Sequence, residues 1–116
     1  LCIGHITAKV FKMCNKEFQE WPVYTVPLWG TSATENFSRQ ISQYETVVTV
    51  EDHILEGGFG SYTLEVAARY KLKTKVIPIA LQKEIVGKVA KEETLLKPLL
   101  EELRVSLNDE IYRTSK

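Results

Sequence analysis

Apolar residues recur along this chain with two periods, and the alternation between the two periods predicts its architecture. Leu1-Cys2-Ile3 reads as the end of a buried strand, with Gly4-His5 as the turn out of it. Ile6, Val10, Met13, Cys14 and Phe18 then follow helical spacing, which predicts an amphipathic helix lying on a sheet. Pro22 introduces a strand, Val23-Tyr24-Thr25-Val26, and Pro27 ends it. A loop from Leu28 to Glu35, centred on Trp29-Gly30, leads to a short helix over Asn36 to Ser42. The next strand, Glu45 to Val50, is almost purely β-branched and is expected to be buried on both faces.

Beyond that strand lies a polar tip, Glu51-Asp52-His53, and then the turn Gly57-Gly58-Phe59-Gly60-Ser61. Ser61 or a neighbour is expected to cap a helix that runs to about Tyr70. Thr74 to Ala80 forms the next strand, and Pro78, which has no amide to give a ladder, means it lies at an edge or is kinked there. Leu81 to Glu93 reads largely as loop, punctuated by Gly87. Leu95, Leu96, Leu99, Leu100 and Leu103 mark a helix with Pro98 in its first turn. Ser106, with Asp109 three residues on, fits a capping pattern that opens a last short helix bearing Leu107 and Ile111. Strands alternating with helices predict a single three-layer α/β/α domain spanning residues 1–116.

Composition narrows the partners. Fifteen basic and fifteen acidic side chains cancel, so the chain offers no field for nucleic acid and no polybasic patch for a membrane surface. No apolar run reaches the ~20 residues that span a bilayer. Cys2 and Cys14 have neither CxxC spacing nor clustered histidines, so a reduced, cytoplasmic setting is expected. The chain opens at Leu1, inside an expected strand and without a methionine, which reads as a domain cut from a longer polypeptide.

The candidate chemistry gathers at the polar tip and the glycine turn. His53 beside Glu51 and Asp52 can act as an acid or base near neutrality. The plainer alternative is that these residues hydrogen-bond loops or meet a neighbouring domain or subunit. Successive strand residues face opposite ways, so Glu51 and Asp52 share one target only if the strand has ended before them. Gly57, Gly58, Gly60 and Ser61 precede a helix, where free amides can hold a phosphate or carboxylate. The turn has no Lys or Arg, and the glycines equally serve tight packing of helix on sheet. Its spacing does not fit G-x-G-x-x-G. His5 is placed at the same sheet edge as His53, Trp29 is an interface anchor or a packing residue, and Arg39 and Arg69 read as solvated helix positions. Ser32, Ser38 and Cys14 have no nucleophile signature and are given no catalytic role.

Taken in order, Ile3-Gly4-His5, Val23-Tyr24-Thr25-Val26, Val48-Thr49-Val50-Glu51-Asp52-His53, Gly57-Gly58-Phe59-Gly60-Ser61 and Ile77-Pro78-Ile79 resemble the C-terminal domain of transketolase-type enzymes over nearly the whole chain. That family includes transketolase, deoxyxylulose-phosphate synthase and the β subunits of 2-oxoacid dehydrogenases. The resemblance implies a mixed five-stranded sheet with one antiparallel strand between layers of helices. It also implies a homodimeric parent enzyme that uses thiamine diphosphate and magnesium to move two-carbon ketol units between sugar or sugar-phosphate substrates. The family's Gly-Asp-Gly motif with its downstream asparagine, and the carboxylate that activates the cofactor, belong to other domains. This domain is therefore expected to bind no cofactor alone, to support dimerisation and to shape one edge of the active site. His53, Glu51, Asp52, Gly57, Gly58, Gly60, Ser61 and Trp29 are the residues expected at a substrate or interface surface. The loop around Trp29 and the segment from Ile77 to Gly87 depart from the family pattern, which leaves the substrate open. Two alternatives remain: a docking domain of a 2-oxoacid dehydrogenase β subunit, and a free-standing anion-binding domain.

Overall fold

In the computed structural model, residues 1–4, 6–26, 33–81 and 92–114 are described. They form strands β1 (Cys2–Ile3), β2 (Thr46–Ile54) and β3 (Lys75–Leu81). The helices are α1 (Ile6–Glu17), α2 (Thr34–Ile41), α3 (Phe59–Arg69) and α4 (Glu92–Thr114). The sheet is parallel, in the order β1-β2-β3. The expected strand at Val23–Val26 shrinks to a parallel bridge between Thr25 and Cys2, on the side of β1 away from β2. Cys2 donates to the Tyr24 carbonyl at 2.9 Å and Val26 to the Cys2 carbonyl at 3.2 Å. No antiparallel pairing occurs among the described residues. The expected loops at Trp29 and Gly87, and His5, lie outside them.

Side-chain alternation along β2 divides the core into two layers. Val48 and Val50 pack with Val10 and Cys14 of α1 and with Leu99 and Leu103 of α4. Val47 packs on the other face with Phe37 and Ile41 of α2 and Phe59 and Val66 of α3. Helices thus cover both faces, as the alternation of periods predicts. Thr49 shares the Val47 face, is fully buried, and has a hydroxyl without a hydrogen-bond partner. Thr49→Val keeps the shape and removes that polar atom, so it is expected to be neutral or to stabilise by about 1 kcal/mol in urea denaturation.

Two expected boundaries move for physical reasons. The leucine stripe stays in phase through Leu96, Leu99, Leu103 and Leu107, all buried, so α4 is one helix of 23 residues with Pro98 inside it. Ser106 is therefore mid-helix, and no second helix starts there. An interior proline costs about 3 kcal/mol, whereas each buried leucine returns roughly 1.5–3 kcal/mol. The stripe wins. At the other correction, β2 runs on to Ile54, carrying Glu51, Asp52 and His53 within the strand. Pro78 fits β3 because it lies opposite Thr49 at a position whose own nitrogen points away from β2.

Candidate functional site

The helices after β1 and β2 leave on opposite faces, α1 toward one core layer and α3 toward the other. In parallel sheets, such a divergence opens a crevice at the carboxyl ends of the strands. Here the divergence falls between the Gly4 turn and the end of β2, where the sequence places its polar tip and the Asp52 carboxylate lies against Gly4.

The strand does not present that tip as a unit. Glu51 is fully buried on the α3 side. Its Oε1 accepts from the Phe59 amide at 2.9 Å and its Oε2 from the Gly60 amide at 2.6 Å. These are first-turn amides of α3, which have no partner within the helix, and they sit at the positive end of its dipole. The glycine turn is thus an anion site already filled by the chain's own carboxylate. Gly58 is the residue before the helix and provides no side-chain cap, and Ser61 does not cap it either. Instead the Ser61 hydroxyl donates to the Leu55 carbonyl, which also accepts from the Gly58 amide at 3.0 Å.

The glycines have separate reasons. Gly57 turns the chain at φ +74°. Gly58 and Gly60 have no room for a β-carbon: one would stand 2.1 Å from Glu51 Oε1 at Gly58, and 2.8 Å from the Pro78 β-carbon at Gly60. The positions are small because Glu51 and β3 press against the turn.

Asp52 leaves on the opposite course, its carboxylate against Gly4, whose φ is +85°. A β-carbon on Gly4 would stand 2.4 Å from Asp52 Oδ1. His53 is exposed, with Nδ1 3.0 Å from the Ile54 carbonyl oxygen. A carbonyl only accepts, so in this contact Nδ1 is the donor. Leu55 beside it is also exposed. No known family, curated protein or solved structure matches the chain.

That geometry separates the expected residues by role. Glu51, Gly58, Gly60 and Ser61 build the turn, Asp52 closes the Gly4 side, and His53 is left at the surface. Arg39 pairs with Glu35 at 3.4 Å on an open helix face, a contact of little energetic weight, and Arg69 ends α3 in solvent. Ser38 is buried and donates to the Glu35 carbonyl at 2.7 Å. Trp29, like His5, lies outside the described residues. The role of Glu51 as an internal anion went unread in the sequence. The available signal was its spacing, a carboxylate eight and nine residues ahead of two helix-opening amides in a turn with no basic residue. Among the described residues, no cluster of three or more His, Cys, Asp or Glu is arranged for a metal ion. With the turn's amides committed to Glu51, these residues do not fit a diphosphate group, and no step through such a cofactor is derived for this chain.

Cys2 and Cys14 are both buried, and desolvation raises both thiol pKa values above their usual 9.0. A raised native pKa means the unfolded chain ionises first. The thiols' contribution to stability is full below pH 9 and is expected to fall as pH rises from there through the native values. Denaturation midpoints from pH 7.5 to 10.5 check this, and Cys2→Ala/Cys14→Ala should flatten the decline.

Proposed function

We propose that this chain is the C-terminal domain of a thiamine-diphosphate-dependent enzyme of transketolase type, which moves two-carbon ketol units between sugar or sugar-phosphate substrates. The domain acts in dimer assembly and forms one edge of the active site without catalysing the reaction alone. The observation that supports this is the bond from Glu51 to Phe59 and Gly60. It ties the two segments that carry the resemblance, Val-Glu-Asp-His and Gly-Gly-Phe-Gly-Ser, into one device. Their co-occurrence then has a physical reason. With Glu51 spent internally, His53 and Leu55 are the outward groups at the strand ends, and an imidazole beside an exposed leucine suits a contact with a neighbouring domain.

The test mixes the chain with a thiamine-diphosphate-binding fragment of a transketolase-type enzyme that lacks its own C-terminal domain. Co-elution and recovery of ketol transfer in the mixture are expected, with no heat from thiamine diphosphate and magnesium added to the chain alone. His53→Ala/Leu55→Asp should weaken co-elution about tenfold while leaving the thermal midpoint in place. Tight cofactor binding by the isolated chain would overturn the proposal.

A further inference from the structure

His53 and Leu55 stand at the carboxyl end of the parallel sheet, and a second surface lies at its other end, where α3 passes into β3. From Val66 to Leu81 the sequence has four basic residues, Arg69, Lys71, Lys73 and Lys75, and no acidic one. All four are exposed, as is Tyr70 among them. Lys75 is engaged, its ammonium 2.5 Å from Glu110 Oε1. Arg69, Lys71 and Lys73 pair with no carboxylate among the described residues.

The backbone under these charges is fixed. At the end of α3 the Leu72 amide donates to the Ala67 carbonyl at 2.9 Å and the Lys71 amide to the Ala68 carbonyl at 3.2 Å. This closure takes a left-handed residue at position 71, a place most often filled by glycine. Here it is a lysine at φ +52°, the one non-glycine residue with positive φ among those described. Past it burial alternates. Leu72 packs with Val66, and Thr74 is buried with its hydroxyl shared between the Ile41 and Tyr44 carbonyls, at 3.0 and 2.9 Å. Lys71, Lys73 and Lys75 therefore share the outward side, at a spacing of roughly 6–7 Å for every two residues.

The dipole of α3 favours a cation in its last turn, which accounts for Arg69, but its influence fades beyond that turn. Lys71 and Lys73 need another reason, and Lys71 carries a conformational cost that glycine would avoid. We propose that Arg69, Tyr70, Lys71 and Lys73 form a docking surface for an extended acidic peptide of a partner protein, with carboxylates at every second position. An extended peptide sets alternate side chains on one face at the same spacing as these cations. Tyr70 adds the aromatic contact common at binding surfaces. Glu45, whose carbonyl holds the Lys75 amide, and Glu110 border the patch. A continuous polyanion such as nucleic acid or an anionic membrane meets repulsion at that rim, whereas a short acidic segment ends within it.

The probe is acetyl-Glu-Thr-Glu-Thr-Glu-amide, titrated into the chain at low salt and followed by amide NMR shifts. Shifts confined to Arg69, Tyr70, Lys71, Lys73 and their neighbours are expected, with affinity about fivefold above that for acetyl-Glu-Glu-Glu-Thr-Thr-amide. Lys71→Glu/Lys73→Glu should weaken binding by about tenfold or more. Lys71→Gly separates charge from fold: the thermal midpoint should hold or rise while affinity drops about threefold. His53→Ala/Leu55→Asp, at the other end of the sheet, should bind the peptide as the parent chain does. Equal affinity for the two glutamate peptides, or unchanged binding in either lysine variant, overturns the proposal. Tighter binding of oligothymidylate of equal charge, or of phosphatidylserine vesicles, overturns it as well.

Discussion

Glu51→Gln is expected to destabilise the domain by about 2–3 kcal/mol, although it changes one atom and almost no volume. The carboxylate offers an acceptor to each of two amides, those of Phe59 and Gly60. An amide side chain keeps one acceptor and turns a donor toward the other N–H. Glu51 is fully buried, so water does not replace the lost bond. Glu51→Ala leaves both amides without an acceptor and opens a cavity, and should cost about 3 kcal/mol or more. Urea denaturation of the two variants gives these numbers directly, with a fall in Tm of roughly 10 °C as the thermal counterpart. A glutamine variant as stable as the parent would mean that the clasp is incidental.

Two neighbouring glycines should respond very differently to the same substitution. Gly57→Ala puts a β-carbon into open space but at φ +74°, so its cost is conformational, about 1 kcal/mol. Gly58 has φ −91°, which alanine adopts freely. Its new β-carbon would lie 2.1 Å from Glu51 Oε1 and 2.7 Å from the Ile54 carbonyl oxygen. Gly58→Ala therefore drives the carboxylate off its amides, and the loss should approach about 3 kcal/mol, near that of Glu51→Ala. Combining Gly58→Ala with Glu51→Ala should cost clearly less than the sum, because the second change removes what the first displaces. Equal losses for Gly57→Ala and Gly58→Ala would defeat this account.

The sequence was most readable where a single period runs unbroken. The stripe from Ile6 to Phe18 gave α1 to within a residue, and the β-branched run before Glu51 gave the central strand. Of the two readings Pro78 allowed, an edge strand or a kink, β3 takes the first, at an edge of the described sheet. Errors arose where a local signal competed with a distant one. Ser106 and Asp109 form a good capping pattern, but the leucine stripe crosses them in phase and packing decides. The charged residues after Val50 resemble a strand end; in the structure Glu51 stays within the strand because its charge is satisfied from across a turn. Val23–Val26 has strand composition yet makes a single parallel bridge, between Thr25 and Cys2.

The spans of the sheet's connections also bear on the order in which the chain assembles. Cys2 must find Val50, and Thr46 must find Lys75, each a long loop to close. Glu51 reaches only eight and nine residues to its amides. Loops that short close in well under a microsecond, before either strand pairing can be sampled widely. The clasp joins the end of β2 to the start of α3, which directs the chain back along the sheet toward β3. On this view β2, α3 and β3 form the folding nucleus, and β1 docks last. Glu51→Gln would then slow refolding more than it speeds unfolding, whereas truncation of Cys2 would act mainly on the unfolding rate.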